Sequence, residues 1–413
     1  MKHVGAWVVL AGLLLAPAVH GSERADGSER VDGSGRADGS ESRPYQEQEK
    51  AKQPELTLAA AIDRLGDLDY KTRIEASARV RREPAASAVP ALLEAARRHQ
   101  DGYVRFRALV LAAGFNDPRV GPLMRELMDD PNDRLREVAY AYIEEHPDPA
   151  LIPRLIAALD KEEAEFVRPA LIQALAAHGS DPRVQKVLRD QVHRGVDFFR
   201  AAVIRALGDH KGVYAFDDLV KVASLEGPLQ DDAIRAIGAL GDTRGIAVLA
   251  RLQRDASREL QPVIAAAICL LGSNCDAHMR FVRESLEFSA RELGFQELVR
   301  SSAAAMADLA AAGKPAAMAA LFEIGMPSNE PARAPIALAL GSAAMRNVPG
   351  LLEVWPGLPR AQATLLLRDA FDMLEEDYAE ERFYATVRRT YWTAAEGSPE
   401  RRAAQSLITA LEF

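Results

Sequence analysis

The chain of 413 residues contains only two cysteines, which rules out a disulfide-rich framework and a four-thiolate zinc site. Aromatics make up just 6%. Alanine and leucine carry the apolar share, which favours helices over a sheet sandwich. Positive charge is not in excess: 51 Lys and Arg against 60 Asp and Glu give a net charge of -9. That balance argues against a nucleic-acid binder, whose affinity rests on cations neutralising phosphates. Beyond residue 18, no apolar run reaches the roughly 18 residues needed to span a bilayer. There is no Gly-x-Ser-x-Gly, no phosphate-cradling glycine loop, no His-Glu-x-x-His and no paired-cysteine metal motif, so no catalytic or cofactor site is expected. What remains is 48% hydrophobic and 27% charged, enough to bury a core.

Lys2 followed by the apolar run Val4 to Ala18 reads as an export signal, too short to be a comfortable membrane span. Cleavage is expected between Ala18 and Ser22, giving a signal peptide over residues 1–21 and an exported protein, periplasmic or secreted, without a membrane anchor. No cysteine near this end could carry a lipid. Residues 22–53 hold three tandem hexads, Glu23 to Ser28, Glu29 to Ser34 and Gly35 to Ser40. Glycine, serine and mixed charge give little to bury, so this segment is expected to be a disordered linker.

From residue 54 onward one unit repeats. Thr72-Arg73, Val104-Arg105, Leu135-Arg136, Val167-Arg168 and Phe199-Arg200 each open an alanine-rich apolar stretch, with arginine spacings of 32, 31, 32 and 32. Glutamine continues the register at Gln230, Gln261 and Gln296, then Arg333, Gln362 and Arg402 continue it less regularly. Asp117-Pro118, Asp148-Pro149 and Asp181-Pro182 fall in phase. Each unit reads as helix, turn, helix, turn. Proline is expected in the opening turn of the first helix (Pro90, Pro122, Pro153, Pro349), where its missing N–H costs nothing. Asp101, Asp133, Asp197 and Ser257 are placed to cap the second helix. So short a helix pair cannot bury its own apolar face, so neighbours must stack.

The Asp-Pro turn, the proline-opened first helix and the Val-Arg-x-x-Ala start of the second resemble HEAT repeats, and more closely the phycobilisome-lyase-type HEAT-like repeats of bacteria. The resemblance implies an all-α, right-handed solenoid of about eleven helix pairs over residues 54–413, regular to about 274 and degenerate over 275–413, with a C-terminal cap. It leaves function open. Such solenoids serve as scaffolds, and also as lyase-type or regulatory subunits acting on a bound chromophore or peptide.

The recurring arginines Arg105, Arg136, Arg168 and Arg200 stand beside Asp101, Asp133 and Asp197. Together they predict a structural ladder between turns. Positions one and five past each arginine should line the concave face of second helices. There Phe106, Glu137, Gln173, Arg205 and Asp231 make a mixed surface suited to a protein or peptide partner. His146, His178 and His210 recur every 32 residues. Helix stacking would hold them about 8–10 Å apart, too far to share one metal. Cys269 and Cys275 flank Gly272, which could fold the chain back and bring the thiols into disulfide range; the alternative is a buried Cys269 with an unpaired Cys275. Tyr378, Phe383, Tyr384, Tyr391 and Trp392 crowd the C-terminal region, as packing under a cap or, for Tyr391 and Trp392, as a second partner patch. The overall expectation is a monomeric, non-catalytic exported scaffold that binds another envelope or secreted protein.

Overall fold

The computed structural model describes residues 56–374 and 377–413; the expected signal peptide and linker lie outside the described residues. Twenty-two α-helices, and no strand among the described residues, form eleven consecutive pairs. The pairs are α1 (Leu58–Asp63) with α2 (Tyr70–Arg81), α3 (Ala85–Arg98) with α4 (Gly102–Gly114), α5 (Val120–Leu127) with α6 (Asp133–Glu145), and α7 (Ile152–Leu159) with α8 (Arg168–Ala176). Next come α9 (Pro182–Val192) with α10 (Asp197–Asp209), α11 (Phe216–Ala223) with α12 (Gln230–Leu240), and α13 (Arg244–Leu252) with α14 (Gln261–Leu270). The last four are α15 (Cys275–Arg291) with α16 (Gln296–Ala311), α17 (Pro315–Gly325) with α18 (Arg333–Arg346), α19 (Val348–Val354) with α20 (Arg360–Leu374), and α21 (Asp377–Thr393) with α22 (Pro399–Leu411).

Second helices pack closely on second helices, along α6, α8, α10, α12 and α14, then α16, α18 and α20. First helices touch one another far less. The inner layer therefore consists of second helices, and the face they present is concave. Small residues permit the close approach. A methyl on Gly238 would lie 2.6 Å from Ala267 Cα, and one on Gly208 3.0 Å from Ala236 Cα. This packing also buries Val110, five residues past Arg105, and Pro262 and Ala266, one and five past Gln261. They fill the seams between second helices.

Capping follows the sequence in part. Asp117, Asp148 and Asp181 accept hydrogen bonds from the N–H groups of Arg119, Ala150 and Arg183 at 2.8–3.0 Å, opening the first helices. Arg119 and Arg183 also fold back onto the same aspartates, and these bonds hold both carboxyls near pKa 2. Asp101 caps α4 through Tyr103 N. Asp133 and Asp197 sit inside their helices, Asn132 supplies the cap of α6, and Ser257 contributes only its carbonyl. Pro90 lies well inside α3, because that helix starts five residues earlier than the proline suggests.

The buried residues fall into two clusters, one running from Ala61 to Leu271 and one from Ala265 to Phe413. They meet at α14, where every residue from Pro262 to Cys269 is buried. Immediately beyond, Gly272 and Asn274 take left-handed backbone angles, and Cys269 is joined to Cys275 in a disulfide with a Cα–Cα distance of 4.1 Å. Among the described residues, no helix is long and apolar enough to cross a membrane.

Candidate interaction site on the concave face

The arginine register builds contacts between turns, with different acids from those beside it in sequence. Arg105 Nε donates to Ala96 O at 2.9 Å, and its Nη2 reaches Asp130 at 2.5 Å, in the turn of the next repeat. Arg136 donates to Asp130 O and, through Nε and Nη2 at 2.8 and 2.7 Å, to Glu162 one repeat on. These bonds hold the Glu162 carboxyl below its ordinary range despite its burial. Asp101 and Asp133 are not the partners: Asp101 is spent on capping α4, while arginine reaches the neighbouring turn. Arg200 does bond Asp197, at 2.9 Å, and Val192 O. Among the described residues Arg168 makes no ion pair or hydrogen bond to an acid, and it lies over the Phe199 ring, 4.0 Å from its centroid. Gln230 and Gln261 keep only the bond to the preceding turn.

The histidines go to separate tasks. His146 and His178 bond carbonyls of their own helices, Tyr142 O and Ala174 O, and His210 contacts Glu144 at 3.1 Å. Among the described residues, no group of three or more His, Cys, Asp or Glu gathers to hold a metal.

The concave face in the early repeats is not open. Helix α21, the first helix of the last pair, packs on α4 and brings the end of the chain back to its beginning. Glu381, only 1% exposed, lies between Arg81 of α2 at 2.6 Å and Arg388 at 3.2 Å. Arg81 stacks over the Tyr384 ring, 4.8 Å from its centroid. Asp377 pairs with Arg107 of α4, and Arg382 lies 2.5 Å from Glu145 of α6. Contact is close enough that any side chain at Gly114 would collide with the Glu381 carboxylate.

Beside this contact lies a cavity of about 1530 Å³. One wall comes from Tyr103, Phe106, Arg134, Glu137 and Phe166 on and beside α4, α6 and α8; the other comes from α20, α21 and the C-terminus. Arg134 stacks on Tyr103 and Phe106 at 5.9 and 5.4 Å. Burial raises the pKa of both Glu145 and Glu380, each to about 7.

Of the partner-face candidates, the structure brings Phe106 and Glu137 together in this cavity. Phe106 is 4% exposed, so it is a wall rather than a free surface anchor. Gln173 bonds Asp209 on α10 at 3.1 Å. Arg205 and Asp231 lie on α10 and α12, outside the cavity lining. Tyr391 and Trp392 form an edge-on pair at the end of α21, with Arg401 over Tyr391 and Trp392 73% exposed. Sequence reading missed Arg81, Arg107, Asp377 and Glu381. Nothing local marks them, since the pairs span 300 and 270 residues.

The family model for HEAT repeats matches residues 58–144 and 122–208. Residues 58–208 are HEAT repeats. No curated protein matches it. Among solved structures, the chain is similar to an X-ray structure of YibA from Escherichia coli, at 20% identity and a TM-score of 0.39, over 52% of this chain and 81% of that one. It is also similar to the complex of CpcE and CpcF of phycocyanin lyase from Nostoc sp. PCC7120, at 19% identity and a TM-score of 0.26, over 79% and 98%. Likeness at this level says nothing of what the chain binds.

Proposed function

We propose that this HEAT-repeat chain is an exported, non-catalytic scaffold that holds another protein against its concave second-helix face. The observation that carries the reading is the layer of second helices, which runs through α10 and α12, where Arg205 and Asp231 lie, to the Glu137-lined cavity between the first and last repeats. The cavity walls mix tyrosine, phenylalanine, arginine and carboxylates, a composition suited to an adaptable protein interface. Export rests on Lys2 and the apolar run Val4 to Ala18. The test is capture of a stoichiometric partner by the purified full chain from the exporting compartment, against a chain with Glu137, Arg205 and Asp231 charge-reversed together. Weakened capture with unchanged helicity supports the concave face. Capture that survives this change but is lost on Tyr391→Ala with Trp392→Ala moves the site to the end of α21. A co-purifying coloured ligand without a protein would overturn scaffolding in favour of a lyase-type subunit.

A further inference from the structure

We infer that the α2–α4 face filled by α21 is a docking groove for an acidic, aromatic α-helix of the bound protein, which takes the place of α21. The inference rests on the scaffold reading and names the chemistry of its partner.

Helix α21 shows what fits. Its contacts with the arginines of α2 and α4 come from Asp377, Glu381 and Tyr384, spaced i, i+4 and i+7, so they form one stripe of the helix, while Tyr378 and Arg382 reach Glu145 of α6. Asp377 meets Arg107, Glu381 meets Arg81, and the Tyr384 ring lies under the Arg81 guanidinium. The receiving side chains are fixed by the early repeats: the Arg81 side chain is 7% exposed and that of Arg107 is 12%. A planar arginine buried in this way selects a carboxylate and an aromatic face rather than a generic anion.

The contact is also separable from folding. The residues that seat α21 in its own repeat, Phe383 and Val387, belong to the C-terminal core, whereas α2 and α4 belong to the N-terminal one. Among the α21 residues on the contact, Tyr378 alone packs against the N-terminal core. The rest is ionic. A buried ion pair gives back in attraction about what it costs in desolvation, so a competing helix with the same stripe can replace it at little net cost. The adjoining cavity gives an incoming helix room to engage before α21 has left.

The probe is a labelled synthetic peptide with the sequence of residues 372–393, titrated into the full chain. In the wild type, α21 competes in cis, so the groove's apparent affinity falls in proportion to the fraction of chains that are open. The double variant Asp377→Asn with Glu381→Gln keeps the groove and weakens the competitor. It should bind the peptide about tenfold or more tighter than wild type, if the wild-type groove is open one part in ten or less. Adding Arg81→Gln and Arg107→Gln to that variant should remove the gain. Equal binding by wild type and double variant, or binding that survives loss of both arginines, overturns the inference. So does head-to-tail dimerisation of the double variant that the peptide does not dissolve, which would make the occupant a second copy. Should Glu381→Gln prevent folding, Asp377→Asn alone is read in the same way. Failure of the peptide while partner capture still depends on Glu137, Arg205 and Asp231 sinks this inference and leaves the scaffold reading standing. Peptide binding without any partner capture does the opposite.

Discussion

In the early repeats, neighbouring turns are tied by arginine: Arg105 to Asp130, and Arg136 to Glu162. In the repeats after α14 one such tie persists, Arg333 to Asp369, and aromatic contacts take a larger share. Trp355 sits edge-on to Phe322 at 6.3 Å, and Phe371, Phe383, Tyr384 and Phe413 form one cluster with centroids 4.3–6.4 Å apart. The two chemistries constrain sequence differently. A bidentate arginine reaches one place, so repeats that use it must keep the 31–32 residue spacing. An aromatic cluster is held by area and shape and tolerates irregular helix lengths, such as the 17 residues of α15 and the 7 of α19. The family match, which ends at residue 208, follows the arginine-tied part.

The largest effect is expected where the aromatic half is cut. Trp355 is fully buried, and its Nε1 donates to Ser406 Oγ at 3.3 Å. Trp355→Ala should cost about 3–5 kcal/mol, read as a lower thermal midpoint with α15–α22 lost first. An unchanged midpoint would mean that something else holds the last repeats together.

A smaller effect separates the rungs of the arginine half. Arg136→Ala leaves Glu162 buried without its donor, at about 1–3 kcal/mol. Arg168→Ala breaks no ion pair among the described residues and loses one stack on Phe199, at about 0.5–1 kcal/mol. Urea melts of both variants check the order. If the two cost the same, the carboxylate is not what makes a rung strong.

The fold was legible because its information is local and repeated. Periodic arginines, Asp-Pro turns and alanine-rich helices suffice for stacked pairs, and eleven pairs are found. The choice of acid partner was not legible. Asp101 lies four residues from Arg105 in sequence, but a long side chain on the inner layer points across to the next turn, where Asp130 waits. The self-contact was invisible for a stronger reason. Arg81 and Glu381 lie 300 residues apart, and their meeting depends on the summed rotation of ten repeat interfaces, a quantity no single repeat encodes.

The smallest predicted effect bears on the place where the two halves meet. Glu145 and Glu380 are both held near pKa 7 by burial. Glu145 faces Arg382 and Tyr378 on α21 and Glu144 on its own helix. The largely exposed Arg382 is too well solvated to offset that burial. Glu380 faces Arg107 and Arg81 across the contact and Asp377 and Asp372 beside it, so two acids oppose two arginines. An exposed glutamate titrates near pH 4.3, so between that value and about 7 the closed form binds more protons than an opened one. The stabilisation is therefore fully present below the exposed value and is lost as pH rises through about 7. Small-angle scattering should show a larger radius of gyration at about pH 8 than at about pH 5.5. Glu145→Gln with Glu380→Gln should stay closed at either pH. If the wild type keeps one radius across this range, the two carboxyls do not govern how the early and late repeats meet, and the ion pairs of Glu381 and Asp377 alone hold them together.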